Sequence, residues 1–194
     1  AGLRSFNKKM PEEINRILTD HISDFLFCPT ETAVKNLSDE NISKGVYNVG
    51  DIMYDAVLYN KEIAEDNSDV LDKHGLKNLN YHLITIHRAE NTDDSGKLND
   101  ILSSLSQIKD YKVWPIHPRT KNKLEEIGFS LDEIPNLLVI DPVGYLDMLK
   151  LIGGARKVLT DSGGVQKEAY FSKVPCVTLR EQTEWIETLK DNAN

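Results

Sequence analysis

The chain has 194 residues and a formal net charge of −8, from 23 Lys and Arg against 31 Asp and Glu. Because the charge is negative and no basic tract is present, we expect no nucleic-acid partner. No apolar run reaches the ~18 residues that a membrane span needs, and no signal peptide opens the sequence. The two cysteines, Cys28 and Cys176, lie in apolar contexts without metal-ligand spacing. We therefore expect a cytoplasmic protein with free thiols, no membrane partner and no bound metal.

The first 50 residues contain too few strands to form a domain of their own. Their apolar pattern predicts helices over residues 11–20 and 31–37 and strands over 23–28 and 45–49. Pro11 suits a first helical turn, and Glu12 and Glu13 are favoured near the positive end of the helix dipole. Two strands are too few for a stable sheet, and the sequence begins without Met. We expect an excerpt in which residues 1–50 are the C-terminal part of a first domain.

Residues 51–80 are predicted to form a hinge or linker region. A helix is expected over residues 51–65, and the charged stretch 60–80 offers few apolar residues to a core. Segments of this composition often connect two domains.

Residues 81–194 alternate regularly between strands and helices. Strands are predicted over residues 81–86, 112–116, 136–140, 156–159 and 175–179, and helices over 97–109, 120–127, 145–152 and 166–171. Short apolar strands alternating with helices indicate right-handed βαβ units. The fold class predicted is α/β, with a parallel sheet covered on both faces.

The sequence Asp161-Ser162-Gly163-Gly164 lies between a predicted strand and a predicted helix. The first N–H groups of a helix have no internal partner and carry partial positive charge, and glycine lets a phosphate approach them. Glu168 follows about one turn later, where its carboxylate could accept both hydroxyls of a ribose. The pattern predicts a nucleotide site. The alternative is a turn that only starts a helix, although Val165 stands where a capping box needs Glu or Gln.

Polar residues follow every predicted strand of the second half. Ligands of open α/β sheets bind at this edge, and the residues are His87 and Arg88, His117, Asp141, Asp161 and Ser162, and Arg180 and Glu181. Each could also simply end its strand, and this alternative is strongest for His117. His87 shares its loop with Arg88, Glu90 and Asn91, which favours a functional role.

Several motifs in their order along the chain resemble the non-hydrolysing UDP-N-acetylglucosamine 2-epimerases. They are Pro11-Glu12-Glu13-Ile14-Asn15-Arg16, Pro29-Thr30-Glu31-Thr32, Thr85-Ile86-His87-Arg88-Ala89-Glu90-Asn91, Ile116-His117-Pro118, Asp161 to Glu168 and Arg180 to Glu184. The resemblance implies the GT-B architecture, two Rossmann-like domains with substrate between them. Residues 1–50 would end the first domain, and residues 81–194 would form most of the second, UDP-binding one.

The resemblance also implies an activity and site residues. The family interconverts UDP-N-acetylglucosamine and UDP-N-acetylmannosamine through elimination and re-addition of UDP, without a cofactor. Glu12 and His87 match catalytic positions, and two further family acids precede Ala1. Substrate binding would involve His87, Ser162, Gly163, Gly164 and Glu168. Arg88 and His117 match a second, effector site of bacterial relatives, and the family suggests a homodimer.

Some features depart from the family or leave other functions open. Trp185 stands where some relatives have a substrate-binding Arg. A GT-B glycosyltransferase would share the phosphate turn, a hydrolysing 2-epimerase would release UDP, and a non-catalytic nucleotide-sugar module would need Glu12 only as a first-turn acid. Binding of NAD has little support, because no Gly-x-Gly-x-x-Gly follows a strand.

Overall fold

The computed structural model describes residues 1–192, which form two compact units. The smaller unit comprises Ala1–Ala56 and Glu181–Ile186, and the larger comprises Val57–Arg180 and the residues from Glu187 onward. Within residues 1–192, no helix combines the length and apolar character needed to cross a membrane.

The smaller unit contains two parallel strands and the helices that cover them. Its elements are α1 (Pro11–Ile22), β1 (Leu26–Cys28), α2 (Glu31–Asp39), β2 (Val46–Asn48) and the start of α3 (Ile52–Asn67). Leu26 and Cys28 on β1 pack against Ala33 and Leu37 on α2. The strands are shorter than predicted, whereas the helices lie where the apolar pattern indicated.

Two carboxylates hold the N-terminal segment against this unit. The Gly2 N–H donates to Asp20 (2.9 Å), and the buried Arg4 pairs with Asp20 (2.7 Å) and Glu40 (2.6 Å). Gly2 has a φ of 75°, and an added Cβ would lie 2.2 Å from the Ala33 carbonyl oxygen. Only glycine fits this position, because both the conformation and the close approach exclude a side chain.

The larger unit is a five-stranded parallel sheet with helices on both faces. Its strands are β3 (Tyr81–Thr85), β4 (Tyr111–Pro115), β5 (Leu137–Ile140), β6 (Lys157–Thr160) and β7 (Cys176–Thr178). Its helices are α4 (Val70–Lys73), α5 (Ala89–Thr92), α6 (Ser95–Gln107), α7 (Pro118–Glu126), α8 (Tyr145–Gly154) and α9 (Gly163–Phe171), with 3₁₀ turns at Leu131–Glu133 and Ile186–Asn192. The parallel sheet agrees with the prediction.

The order of the strands creates a switch point beside the central strand. The order across the sheet is β5-β4-β3-β6-β7, so the chain moves outward from β3 to β5 and then returns to place β6 on the other side of β3. Loops that leave β3 and β6 therefore diverge to opposite faces. Open α/β sheets bind ligands in the crevice at such a point, beyond the carboxyl ends of the strands.

Separate cores cover the two faces of the sheet. Leu83, Val113 and Val158 face one core with residues of α8 and α9, and Ile84, Trp114 and Leu159 face the other with residues of α6 and α7. Adjacent residues of a strand point to opposite faces, and β3 is buried along its whole length. These cores fix where the strands end, and so fix the loops of the site.

The expectation that residues 60–80 contribute little to a core is wrong. Val70 and Leu76 are buried in the core with α8 and α9, and Ala64 packs against Leu149. Val70 belongs to the short helix α4 and Leu76 follows it, and the charged residues around them hide these apolar positions in the sequence. Whether residues 51–80 act as a hinge stays a prediction.

Candidate functional site

Ser162, Gly163 and Gly164 form the start of α9 at the switch point. The Ser162 hydroxyl caps the helix by accepting from the Val165 N–H (3.4 Å), and the Ser162 N–H donates to the Thr160 hydroxyl (2.9 Å). The helix begins at Gly163, earlier than the predicted residue 166. Ser162 thus caps the helix although no capping box is present, because a serine can cap alone, and the alternative of a turn that starts a helix has a direct observation behind it.

The packing around Gly164 gives it no structural need to be glycine. A Cβ added there would meet only the Ser162 Oγ, at 3.7 Å, which is an ordinary contact. A side chain at Gly164 would therefore have room in the protein itself. The first N–H groups of a helix are the groups that bind an anion, and a glycine beside them keeps a side chain out of the ligand's place.

Glu168 lies on α9 as a buried carboxylate without a protein partner. Its residue is 8% exposed, and within residues 1–192 no group donates a hydrogen bond to its side chain. Burial raises the pKa of Glu168 above its ordinary value. Burial and then the charge of Glu168 raise the pKa of Tyr145, the first residue of α8. A buried acceptor is costly unless a ligand supplies the donors.

Asp161 ties the loop after β3 to the end of β6. Its fully buried carboxylate accepts from the backbone N–H groups of His87 (3.0 Å) and Arg88 (2.9 Å) and from the Asn91 side chain (3.1 Å). Asn91 also donates to the Leu179 carbonyl (2.9 Å), so the loop is fastened to the end of β7 as well.

His87 is half-buried beside this carboxylate. Its Nδ1 lies 3.4 Å from the Asp161 Oδ1, and its ring centroid is 5.7 Å from that of His117. Burial lowers the pKa of His87, Asp161 opposes the effect, and His117 and Arg88 add to the lowering. The ring is therefore more readily neutral than a free histidine, as suits a group that accepts or passes a proton near neutral pH.

His117 has a structural contact in addition to its position near His87. It is the N-cap of α7, and its Nδ1 accepts from the Arg119 N–H (3.2 Å). The structural alternative for His117 thus has a direct observation behind it. Its role in an effector site, like that of Arg88, stays a prediction.

The larger unit brings most of the predicted site residues to one edge of its sheet. His87, Arg88 and His117 follow β3 and β4, and Ser162, Gly163, Gly164 and Glu168 follow β6. Glu12 belongs to the smaller unit, where it is exposed on the first turn of α1. Among the described residues, no group of His, Cys, Asp and Glu is arranged to hold a metal ion.

Sequence reasoning missed the part that Asp161 and Asn91 play in the site. Both stand in the motifs quoted above, but pairing between residues 70 positions apart leaves no local pattern. A polar residue directly after a buried strand was the available signal, and it indicated position rather than partner.

Comparison with known proteins agrees with the motifs. A family model described as UDP-N-acetylglucosamine 2-epimerase matches residues 1–194. A UDP-N-acetylglucosamine 2-epimerase homolog of Methanococcus maripaludis is 53% identical over 197 residues, which span this whole chain and 55% of that protein. The UDP-2,3-diacetamido-2,3-dideoxy-D-glucuronate 2-epimerase of Pseudomonas aeruginosa is 48% identical, over all of this chain and 54% of its own length.

A solved structure shows the same fold. The crystal structure of the Methanocaldococcus jannaschii UDP-GlcNAc 2-epimerase, in complex with UDP-GlcNAc and UDP, matches with a TM-score of 0.91 and 46% identity. The match covers all of this chain and 56% of that one, so the chain spans about half the length of the relatives it matches. The predicted fold class, GT-B-like α/β with parallel sheets, is confirmed.

Proposed function

We infer a function from one premise: this chain belongs to the UDP-N-acetylglucosamine 2-epimerase family, whose model matches residues 1–194. We propose that the protein interconverts UDP-N-acetylglucosamine and UDP-N-acetylmannosamine, and that this chain carries its nucleotide site. The Methanocaldococcus jannaschii relative binds UDP-GlcNAc and UDP, which is the ligand chemistry that the start of α9 and Glu168 suit.

The observation that carries the proposal is the pairing of a helix N-terminus, which begins with two glycines, with a buried carboxylate to which no described group donates. The N–H groups that begin at Gly163 suit a diphosphate, and Glu168 lies further along the same helix. A carboxylate that accepts two hydroxyl donors would regain the hydrogen bonds it lost on burial. A nucleoside diphosphate presents both its phosphates and its ribose diol to one helix.

The chemistry assigns a task to each group. The C2 proton is not adjacent to a carbonyl, so direct removal is too costly. In the proposed route a base takes the C2 proton, the C1–O bond breaks with its electron pair on UDP, and a C1=C2 bond forms. Re-addition of UDP with the proton on the other face gives the epimer. Ser162, Gly163 and Gly164 would stabilise the leaving diphosphate, and His87 and Glu12 would move protons.

Turnover in heavy water tests this function. A protein that includes the chain and the remaining length of its relatives is incubated with UDP-N-acetylglucosamine, without NAD. We expect deuterium at C2 of the recovered nucleotide sugar. A requirement for an acceptor would favour a glycosyltransferase, and release of free N-acetylmannosamine would favour a hydrolysing 2-epimerase. Binding of UDP without any turnover would favour the non-catalytic module.

A second substrate is favoured by one comparison. The Pseudomonas aeruginosa relative, 48% identical, is named for 2-epimerisation of a UDP-linked diacetamido glucuronate. The same elimination chemistry serves both sugars, because the reacting carbon and the leaving group are unchanged. Parallel assays with the two UDP-sugars, compared by kcat/KM, decide between them.

Assembly and regulation complete the proposal. By family likeness we propose a homodimer, and we propose that Arg88 and His117 bind a second UDP-sugar as effector. Size-exclusion chromatography with light scattering measures the first. Rate against substrate concentration tests the second, since an effector site would make the curve sigmoidal.

A further inference from the structure

Asp161 reaches the candidate histidine from inside the core. It is fully buried, and the loop after β3 directs three N–H donors at it, from the backbones of His87 and Arg88 and from the side chain of Asn91. These donors compensate the buried charge. All three donors reach Oδ2, and the His87 N–H is shared with Oδ1 (3.2 Å), the oxygen that lies 3.4 Å from the His87 Nδ1.

We propose that Asp161 is a positioning residue for His87, which holds the ring proton on Nδ1 and leaves the Nε2 lone pair available. A carboxylate beside one ring nitrogen favours the proton on that nitrogen, so it selects one of the two neutral tautomers. The same carboxylate fixes the backbone on which the ring is mounted. Asp161 would thus set both the orientation of the His87 ring and the nitrogen that carries its proton. A catalytic use of the His87 Nε2 rests on the proposed function, whereas the tautomer of His87 can be measured without it.

The surroundings of His87 leave this task to Asp161. The charged and titratable groups that act on the ring are Asp161, His117 and Arg88. Burial lowers the pKa of His87 and so do His117 and Arg88, whereas Asp161 raises it. Asp161 is the only anion in this set, and its Oδ1 is the atom recorded beside the His87 Nδ1 (3.4 Å), so it favours an N–H at that nitrogen.

NMR of ¹⁵N-histidine in the 194-residue chain measures the tautomer directly. His87→Gln assigns the signal among the five histidines. We expect the Nδ1–H tautomer in the original chain. In Asp161→Asn the amide N–H₂ can face Nδ1, so we expect a shift to the Nε2–H tautomer and a lower pKa for His87. Asp93→Asn is the matched control, because Asp93 lies near the same loop but pairs with Arg119.

Two results would overturn the proposal. One is an Nε2–H tautomer for His87 in the original chain, which needs no variant. The other is an unchanged tautomer and titration in a folded Asp161→Asn chain, with folding checked by circular dichroism.

Kinetics of the longer protein separate this inference from the function. Asp161→Asn should lower kcat about a hundredfold with KM little changed, the lower range of a positioned acid or base. Added to His87→Gln, it should cost little more, because its effect passes through His87. Equal losses in both backgrounds would contradict positioning. The expected tautomer shift in a protein that never turns over would sustain the inference and reject the function.

Discussion

At the scale of single residues, substitutions of Gly164 should affect UDP binding and protein stability differently. A Cβ at this position meets only a 3.7 Å contact, so Gly164→Ala should keep the free energy of unfolding or raise it by about 0.5–1 kcal/mol, since alanine is the better helix former. A larger side chain would stand in front of the first helix N–H groups. In the longer protein we therefore expect Gly164→Leu to weaken UDP binding at least about tenfold by calorimetry, with little change in Tm.

Gly153 provides the matched control for this prediction. It lies in α8, and a Cβ there also meets no atom within 4 Å. Gly153→Leu should leave UDP affinity unchanged. Undiminished affinity in Gly164→Leu would show that the nucleotide does not use this helix start.

Glu168 should make the folded chain less stable as the pH rises. Burial raises the pKa of Glu168 above its ordinary 4.5, so the folded state binds the proton more tightly than the unfolded state. Below pH 4.5 both states hold the proton and Glu168→Gln changes little. As the pH rises through the raised pKa, the ionised carboxylate becomes a cost, and Glu168→Gln should be the more stable protein. Urea unfolding at pH 4 and pH 7 measures this difference.

In the longer protein, saturation with UDP should reverse the order of stability at pH 7. Ribose hydroxyls would donate to the original carboxylate, and the amide accepts them less well. If Glu168→Gln binds UDP as tightly as the original chain, the assignment of Glu168 to the ribose is wrong. This outcome would not affect the predicted pH dependence of stability, which follows from the raised pKa of Glu168 alone.

The positions of the candidate site residues along the sheet edge could be predicted from the sequence, whereas their contacts could not. Ser162, Gly164 and Glu168 follow from a strand, a glycine pair and a helix, because helix spacing fixes which residues share a surface. The environment of His87 did not follow, since it depends on Asp161, which is 74 positions away. Such pairing is set by sheet order, and sheet order has no local signature.

At the scale of elements, α1 carries two neighbouring acids with different surroundings. Glu12 is exposed, whereas Glu13 is buried and accepts from Ser5, Phe6 and Arg16. Burial raises the pKa of Glu13, but these hydrogen bonds outweigh it and lower the pKa to about 2. Glu13 therefore fastens the segment before α1, in which Phe6 has a φ of 59°.

Substitution of the two acids should separate stability from activity. Glu13→Gln should lower the free energy of unfolding of the smaller unit by about 2–3 kcal/mol, the range for hydrogen bonds to a charged group. The loss should be full above pH 4.5 and should shrink as the pH falls toward 2, because the pKa is depressed in the folded state. Glu12→Gln should leave stability within about 0.5 kcal/mol, and in the longer protein it should abolish turnover. Denaturation monitored by hydrogen exchange, with activity assays, measures both. Unchanged stability in Glu13→Gln would contradict the structural role of Glu13, and activity in Glu12→Gln would contradict the catalytic role of Glu12.

The elements show where sequence patterns are strong. Buried strands such as β3 and β6 were placed within a residue or two, because continuous apolar runs mark a sheet covered on both faces. Helix α4 was missed, since four residues are too short for a helical period to appear. Val70 in this helix and Leu76 just after it are core residues that look isolated in a charged stretch of the sequence.

At the scale of the whole molecule, the two units differ in how much of a sheet they contain. The larger unit has five strands and a core on each face, whereas the smaller has two strands of three residues each. Phe25, Phe27 and Tyr47 of the smaller unit are exposed, and the Tyr47 ring lies beside those of Phe25 and Phe27, with centroids 6.4 Å and 6.0 Å away. Because a two-stranded sheet is marginal without further packing, we expect amide hydrogen exchange to protect β3, β4 and β6 far more than β1 and β2. Equal protection would contradict this difference.

The 194 residues made alone should bind UDP weakly at best and show no epimerase activity. The start of α9, Glu168 and His87 lie in the unit with the full sheet, which favours some binding of the nucleotide. Catalysis also needs the acid and base to be positioned accurately, because a proton is transferred only within hydrogen-bond distance. A displacement of ~1 Å can lower the rate on the order of a hundredfold. Glu12 lies in the smaller unit, which has only a two-stranded sheet among the described residues, and the chain spans about half the length of its relatives. Calorimetry measures the affinity for UDP, and a coupled product assay measures the epimerase activity. Robust turnover by these residues would show that Glu12 is held well enough by its own unit, and that the acids which the family places before Ala1 are dispensable.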